Sequence, residues 1–258
     1  MNIATRSLRR VRATRYVTPL REGGSLPAVV EADDDGLYVL KFRGAGQGPK
    51  ALVAEIVAGE LTRALGLPVP ELVLADLDSE LGRAEPDAEI QDLLAASAGL
   101  NLGMDFLPGA LAYTPAVPSP PDPDLAASIV WFDALVTNVD RSPRNPNLLV
   151  WHGGLWMIDH GASLYVHHSW VDPDGHARKP FAAIRDHVLL PCAGSILEAD
   201  QRLAPLVTEQ LLQGVVELAP LAWMGDGTPE MYVRYLTRRL EAPRLFAEEA
   251  EEARTGGG

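Results

Sequence analysis

Asn138-Val139-Asp140-Arg141-Ser142-Pro143-Arg144-Asn145 is a polar loop, and two apolar runs follow it, Leu148-Leu149-Val150-Trp151 and Leu155-Trp156-Met157-Ile158. His152-Gly153-Gly154 separates the runs, so the pair reads as a β-hairpin. Asp159-His160-Gly161 comes directly after it. The order is a loop carrying an Asp and an Asn, a hairpin, and then a carboxylate at a strand end beside glycine. In chemical terms Asp140 can orient or deprotonate a hydroxyl, while Asn145 and Asp159 offer the oxygen ligands that magnesium prefers. An Asp-x-x-x-x-Asn spacing alone is ordinary turn chemistry. Its meaning comes from the rest of the chain.

Upstream, residues 125–138 predict a helix with Asp124 as its cap. Ile129, Val130, Trp131, Phe132, Leu135 and Val136 mark that helix as buried. Pro115, Pro118, Pro120, Pro121 and Pro123 forbid helix before it, which predicts a linker or an exposed loop. Near the start, residues 11–19 and 27–32 are short β-prone runs. Asp33-Asp34-Asp35-Gly36 is a turn leading into the strand Leu37-Tyr38-Val39-Leu40-Lys41-Phe42. Residues 51–65 repeat apolar positions at helical spacing and stop at Gly66, with Pro68 and Pro70 beyond. A further strand is expected over residues 69–75, and the acidic, alanine-rich residues 76–98 predict no definite element.

Lys41 stands inside an apolar strand, in a chain with three lysines and many arginines. A compact ammonium suits a point contact with phosphate, although a lysine reaching from a strand edge into solvent has the same sequence. Glu55 lies on the inner side of the following helix and is the natural partner, with Glu60 as a rival. Strand lysine, helix glutamate, Asp–Asn loop, hairpin and Asp-x-Gly together supply what phosphoryl transfer asks of a protein. These are a cation on the phosphates, oxygen ligands for a metal, and a carboxylate beside the incoming hydroxyl.

On these residues the chain resembles the HipA-like kinases, a branch related in architecture to the phosphatidylinositol kinases and the eukaryotic protein kinases. The resemblance is carried by Leu40-Lys41-Phe42, by Ala54-Glu55, and by Ala64-Leu65-Gly66-Leu67-Pro68-Val69-Pro70. It continues through Asn138 to Arg141, through Asn145-Pro146-Asn147-Leu148-Leu149, and through Ile158-Asp159-His160-Gly161. It spans residues 10–190. It implies an α+β, two-lobed, protein-kinase-like fold with a strand-rich N-lobe and a mainly helical C-lobe. It implies that Lys41 contacts the α- and β-phosphates of ATP and pairs with Glu55, and that Asp140 is the catalytic aspartate. Asn145 and Asp159 would then bind Mg2+. Gly23-Gly24-Ser25 would cover the phosphates with backbone amides, and the adenine would sit between the lobes near Met104-Asp105-Phe106-Leu107. His160 stands where protein kinases carry Phe, and Ser142 where HipA-type loops commonly carry a histidine. The reaction implied is transfer of the γ-phosphoryl group of Mg·ATP to a hydroxyl, Ser or Thr of a protein including itself. A small molecule or lipid headgroup as acceptor, AMP transfer, and a nucleotide-binding pseudokinase acting as an interaction module are the alternatives.

A formal net charge of −13 argues against broad nucleic-acid binding, which needs a basic face. Arg6, Arg9, Arg10, Arg12 and Arg15 fit an edge strand with solvated arginines better than a basic arm, and no apolar block follows to make a signal peptide. No apolar run reaches the roughly 18 residues of a membrane span. The single cysteine, Cys192, rules out an internal disulfide and a multi-cysteine zinc site. These features lead to the expectation of a cytoplasmic protein. His160, His167, His168, His176 and His187 lack the spacing of a zinc-hydrolase motif. The expected division is residues 1–114 as the first lobe, 115–124 as linker, 125–247 as the second lobe, and 248–258 as a frayed tail.

Overall fold

The computed structural model describes residues 7–20, 26–46, 48–82, 85–116 and 120–256. Five strands, β1 (Arg9–Pro19), β2 (Ala28–Ala32), β3 (Leu37–Lys41), β4 (Leu72–Leu77) and β5 (Gly99–Asp105), close into a barrel in the order β1-β2-β3-β5-β4. Neighbours are antiparallel except β1 and β4, which run parallel and complete the ring. The strand period of two sorts the side chains. Tyr38 and Leu40 point into the barrel with Val11, Val30, Val73 and Ala75, and helix α2 (Ala88–Ala96) adds Ile90 and Leu94 to that interior. Val39, Leu72, Leu102 and Met104 face the other way and join a second, larger core.

That second core begins at helix α1 (Pro49–Ala64), which is buried on every side from Leu52 through Thr62. A Cβ on Gly59 would stand 2.7 Å from Leu72 Cδ1, so a side chain there would have to displace Leu72 where α1 packs on β4. Beyond α1 come β6 (Leu111–Ala112), α3 (Pro123–Val136), β7 (Leu148–Trp151) and β8 (Gly154–Met157). The remaining helices are α4 (Pro173–Ala177), α5 (Ile196–Leu203), α6 (Glu209–Val216), α7 (Pro229–Leu240) and α8 (Leu245–Thr255). Strands β6, β7 and β8 form a separate three-stranded sheet, and α3 is a buried rod packed mainly against α5 and α8, with Ile129 through Val136 all inaccessible. Among the described residues no helix is long and apolar enough to cross a membrane.

Four expectations change. The chain leaves the barrel between Asp105 and Leu111 rather than in the proline stretch, because β6 hydrogen-bonds to β7 and Tyr113 N–H donates to Leu148 O at 2.9 Å. Residues 111–113 therefore pair with the three-stranded sheet and not with the barrel. The cap of α3 is Asp122, not Asp124: its carboxylate accepts from the amides of Asp124 and Leu125 at 3.0 and 2.9 Å, and Pro123 takes the first helical position. The tail is not frayed through residue 255, since α8 buries Phe246, Ala247 and Ala250, with Phe246 against Trp131. The N-terminal arginines are not simply solvated. Arg9 pairs with Asp34 and Glu71, Arg10 with Asp76, Arg12 with Asp33 and Arg15 with Glu31.

Candidate active site

Lys41 ends β3 on the face that looks out of the barrel toward α1. Val39 shares that face, and register places Val29 and Met104 directly across from Val39. Lys41 Nζ donates to Glu55 Oε1 and, at 2.6 Å, to Asp159 Oδ1. The backbone N–H of Gly161 donates to the same Glu55 oxygen at 2.7 Å. Residues from β3, α1 and the turn after β8 thus meet, although Lys41 and Asp159 are 118 positions apart. Glu60, the rival partner, pairs instead with Arg63 at 3.2 Å.

One ammonium here faces two carboxylates. Burial pushes Glu55 up to about 7 despite Lys41, and the charge of Asp159 adds to the rise. Asp159 is 44% exposed, and Lys41 holds it well below the usual carboxylate range. Burial opposes the charge of Lys41, yet the two carboxylates outweigh burial and keep its ammonium above the ordinary lysine value. The outer carboxylate is therefore the one held ionised, on the side open to a ligand.

Asp140 lies in the loop after α3. Its backbone N–H donates to Asn138 Oδ1 at 3.0 Å, and its carbonyl accepts from Asn147 Nδ2 at 2.7 Å. Its carboxylate accepts from Asn145 Nδ2 at 2.9 Å. Ser142 and Asn145 exchange backbone hydrogen bonds of 3.1 Å, closing a tight turn that presents both side chains from one loop. With its amide nitrogen engaged by Asp140, Asn145 keeps Oδ1 as a donor for a hard cation. Among the described residues no three His, Cys, Asp or Glu side chains gather to hold a metal by themselves. The donor set fits magnesium carried on nucleotide phosphates, which needs only one or two protein oxygens.

The remaining expected residues fall elsewhere. Gly23-Gly24-Ser25 lies outside the described residues. Asp105, Phe106 and Leu107 sit where the chain leaves the barrel. The amides of Asp105 and Phe106 are engaged by the carbonyls of Glu71 and Leu37, at 2.8 and 3.0 Å. Burial, followed by the charge of Glu71, pushes the Asp105 carboxyl up. Sequence reasoning missed Asp133, His187 and the inward course of Arg141, all of which are buried beneath the Asp140 loop. One signal was present: Asp133 is the sole charge within the run from Ile129 to Val136.

A crystal structure of CtkA, a proinflammatory kinase of Helicobacter pylori, aligns with 95% of this chain and 98% of its own, at 13% identity and a TM-score of 0.54. The Golgi casein kinase with Mn/ADP bound aligns at 13% identity and a TM-score of 0.49, covering 99% of this chain and 75% of that one. Another crystal structure of the Golgi casein kinase gives 14% identity and the same TM-score, over 99% and 74%. No curated protein matches the sequence. The CtkA likeness establishes a protein-kinase-like fold. The family model for HipA-like kinases matches residues 14–180, more than half of the sequence, and this chain belongs to that family.

Proposed function

We propose that this chain transfers the γ-phosphoryl group of Mg·ATP to a hydroxyl, that of a Ser or Thr on a protein, itself included. The observation that carries the reading is the meeting of Lys41, Glu55 and Asp159 in one cluster. Phosphoryl transfer depends mainly on positioning and charge stabilisation, and this cluster has the parts for both. Bound magnesium would neutralise charge on the phosphates, held by Asp159 and by Asn145 Oδ1. Lys41 binds the α- and β-phosphates, and Glu55, fixed by the Gly161 amide, keeps the ammonium pointed at them. Asp140 orients the acceptor hydroxyl and takes its proton as the new bond forms. Adenine packs against Val29, Val39 and Met104. Its hinge donor is the N–H of Leu107, since the two preceding amides are engaged.

The test is intact mass after incubation with Mg·ATP, alone and with a protein mixture, beside Asp140→Ala. A phosphate gained by the wild type and absent in the variant supports the reading. A gain of AMP would redirect it to nucleotidyl transfer. Full turnover by Asp140→Ala would overturn the assignment of the loop.

A further inference from the structure

Arg141 follows the candidate catalytic aspartate, yet its side chain and that of Asp133 both have 0% exposure. The Arg141 guanidinium donates from Nε to Asp133 Oδ2 at 2.5 Å and from Nη1 to the carbonyl of Asn147 and, at 3.2 Å, to that of Ile158. Its Nη2 lies 3.4 Å from His160 Nδ1. The two carbonyls stand side by side at the open end of the β7–β8 hairpin, one where the chain enters β7 and one joined to the peptide nitrogen of Asp159, and Ile158 N–H itself donates to Asn147 O at 3.1 Å. Asn147 and Asp159 are both left-handed, with φ of 47° and 56°. Asn and Asp tolerate that conformation better than most residues, but a left-handed residue persists only where its surroundings hold it. One guanidinium grips the chain at both points.

Asp133 is held in turn. Its Oδ1 accepts from Asn138 Nδ2 at 3.1 Å, and its Oδ2 lies 2.9 Å from His187 Nε2. Leu189 N–H donates to His187 Nδ1 at 3.1 Å, so the ring proton sits on Nε2 and points at Asp133. Val188 N–H donates to Arg141 O at 3.0 Å. The far end of the segment that follows Asp159 is thereby tied to the same arginine. A buried ion pair is a poor source of stability, because desolvation offsets the attraction and apolar pairs of similar volume serve as well. What this pair supplies is direction: it fixes where three separate pieces of chain stand relative to each other.

We propose that Asp133, Arg141 and His187 are positioning residues that lock the Asp140 loop, the Asp159 turn and residues 187–189 into one register for phosphoryl transfer. The inference rests on the phosphotransfer reading. It predicts that the clamp controls turnover and metal use rather than nucleotide contact.

The experiment compares wild type with Asp133→Leu/Arg141→Met, Arg141→Lys, His187→Leu and His187→Gln. Melting temperature, ATP affinity without metal, and ATP turnover against magnesium concentration are measured for each. The double variant removes both charges together, so it is expected to fold. Its metal-free ATP affinity should stay at the wild-type level while turnover falls about 100-fold, the scale of a small misplacement at a reacting centre. The magnesium concentration for half-maximal turnover should rise about 10-fold, as when an outer-shell partner of a metal ligand is lost. His187→Leu should lose about 10-fold in turnover and His187→Gln, which can still donate to Asp133, should recover most of it. Turnover and magnesium dependence within about twofold of wild type in the folded double variant would overturn the proposal, since a merely structural pair could be replaced freely. Should that variant not fold, Arg141→Lys decides: it keeps a cation against Asp133 but cannot span both carbonyls, so retained turnover overturns the clamp and lost turnover supports it. Absence of turnover in the wild type would overturn the phosphotransfer reading itself, and the clamp's role with it.

Discussion

Replacing Lys41 with Met removes the charge and keeps an unbranched stem of similar length. The consequence can be worked from Glu55, which is 2% exposed and accepts from Lys41 and the Gly161 amide. Its folded carboxyl titrates at about 7, against 4.5 for the unfolded chain. A raised carboxyl binds its proton more tightly folded than unfolded, so stability falls as pH climbs above the unfolded value and levels off once the folded value is passed. In the wild type that levelling comes near 7. Without Lys41 it moves upward, and each further unit costs about 1.4 kcal/mol. At pH 6 Glu55 is protonated in both, so the gap there reflects the other losses, above all the pairing of Lys41 with the ionised Asp159. At pH 8.5 the gap should grow by about 2 kcal/mol, which for a chain of this size is a further 4–8 °C in melting temperature, roughly. Thermal unfolding followed by circular dichroism at both pH values reads this directly. A gap that is the same at pH 6 and 8.5, or larger at pH 6, would refute the account of the cluster.

Three other outcomes are expected. Asp159→Ala should abolish the strengthening of ATP binding by magnesium and should lose turnover with it, as titration calorimetry with and without the metal would show. His167 is buried and burial pushes it down to about 3 from 6.5, so the unfolded chain binds the extra proton between those values. Stability should accordingly drop as pH falls below 6.5, by on the order of a few kcal/mol at pH 4, and His167→Phe should flatten that slope in urea titrations. Phe246→Ala should cost about 3–5 kcal/mol by chemical denaturation, because the ring fills the space between Trp131 and Arg239.

The two hairpins were legible because their signals are local. Asp33 to Gly36 and His152 to Gly154 each carry the turn residues between alternating or apolar runs, and both hairpins form there. The convergence of Lys41 with Glu55 was also open to sequence reasoning, since a charge inside an apolar strand and one on the inner side of a helix need each other. The exit from the barrel was not legible. Two residues of β6 carry no pattern, and only their pairing with β7 moves the boundary ahead of the prolines. Helix α8 was hidden by its composition: Glu248, Glu249, Glu251 and Glu252 read as a solvated end, while Phe246 and Ala250 supply the narrow buried stripe. The clamp under Asp140 was invisible because its members are spread over residues 133 to 187 and each alone has a blander explanation.

Helix α1 has no solvent side from Leu52 through Thr62, being wedged between β4 and the region of α6 and residues 221–223. At its first turn Lys50 bonds the carbonyl of His167 at 2.7 Å and Asp226 at 2.5 Å. A helix enclosed in this way cannot roll without opening the core around it. Its amides should exchange with deuterium only through global unfolding, as slowly as those of α3. Swinging Glu55 away from Lys41 is then not an inexpensive off-state for this chain.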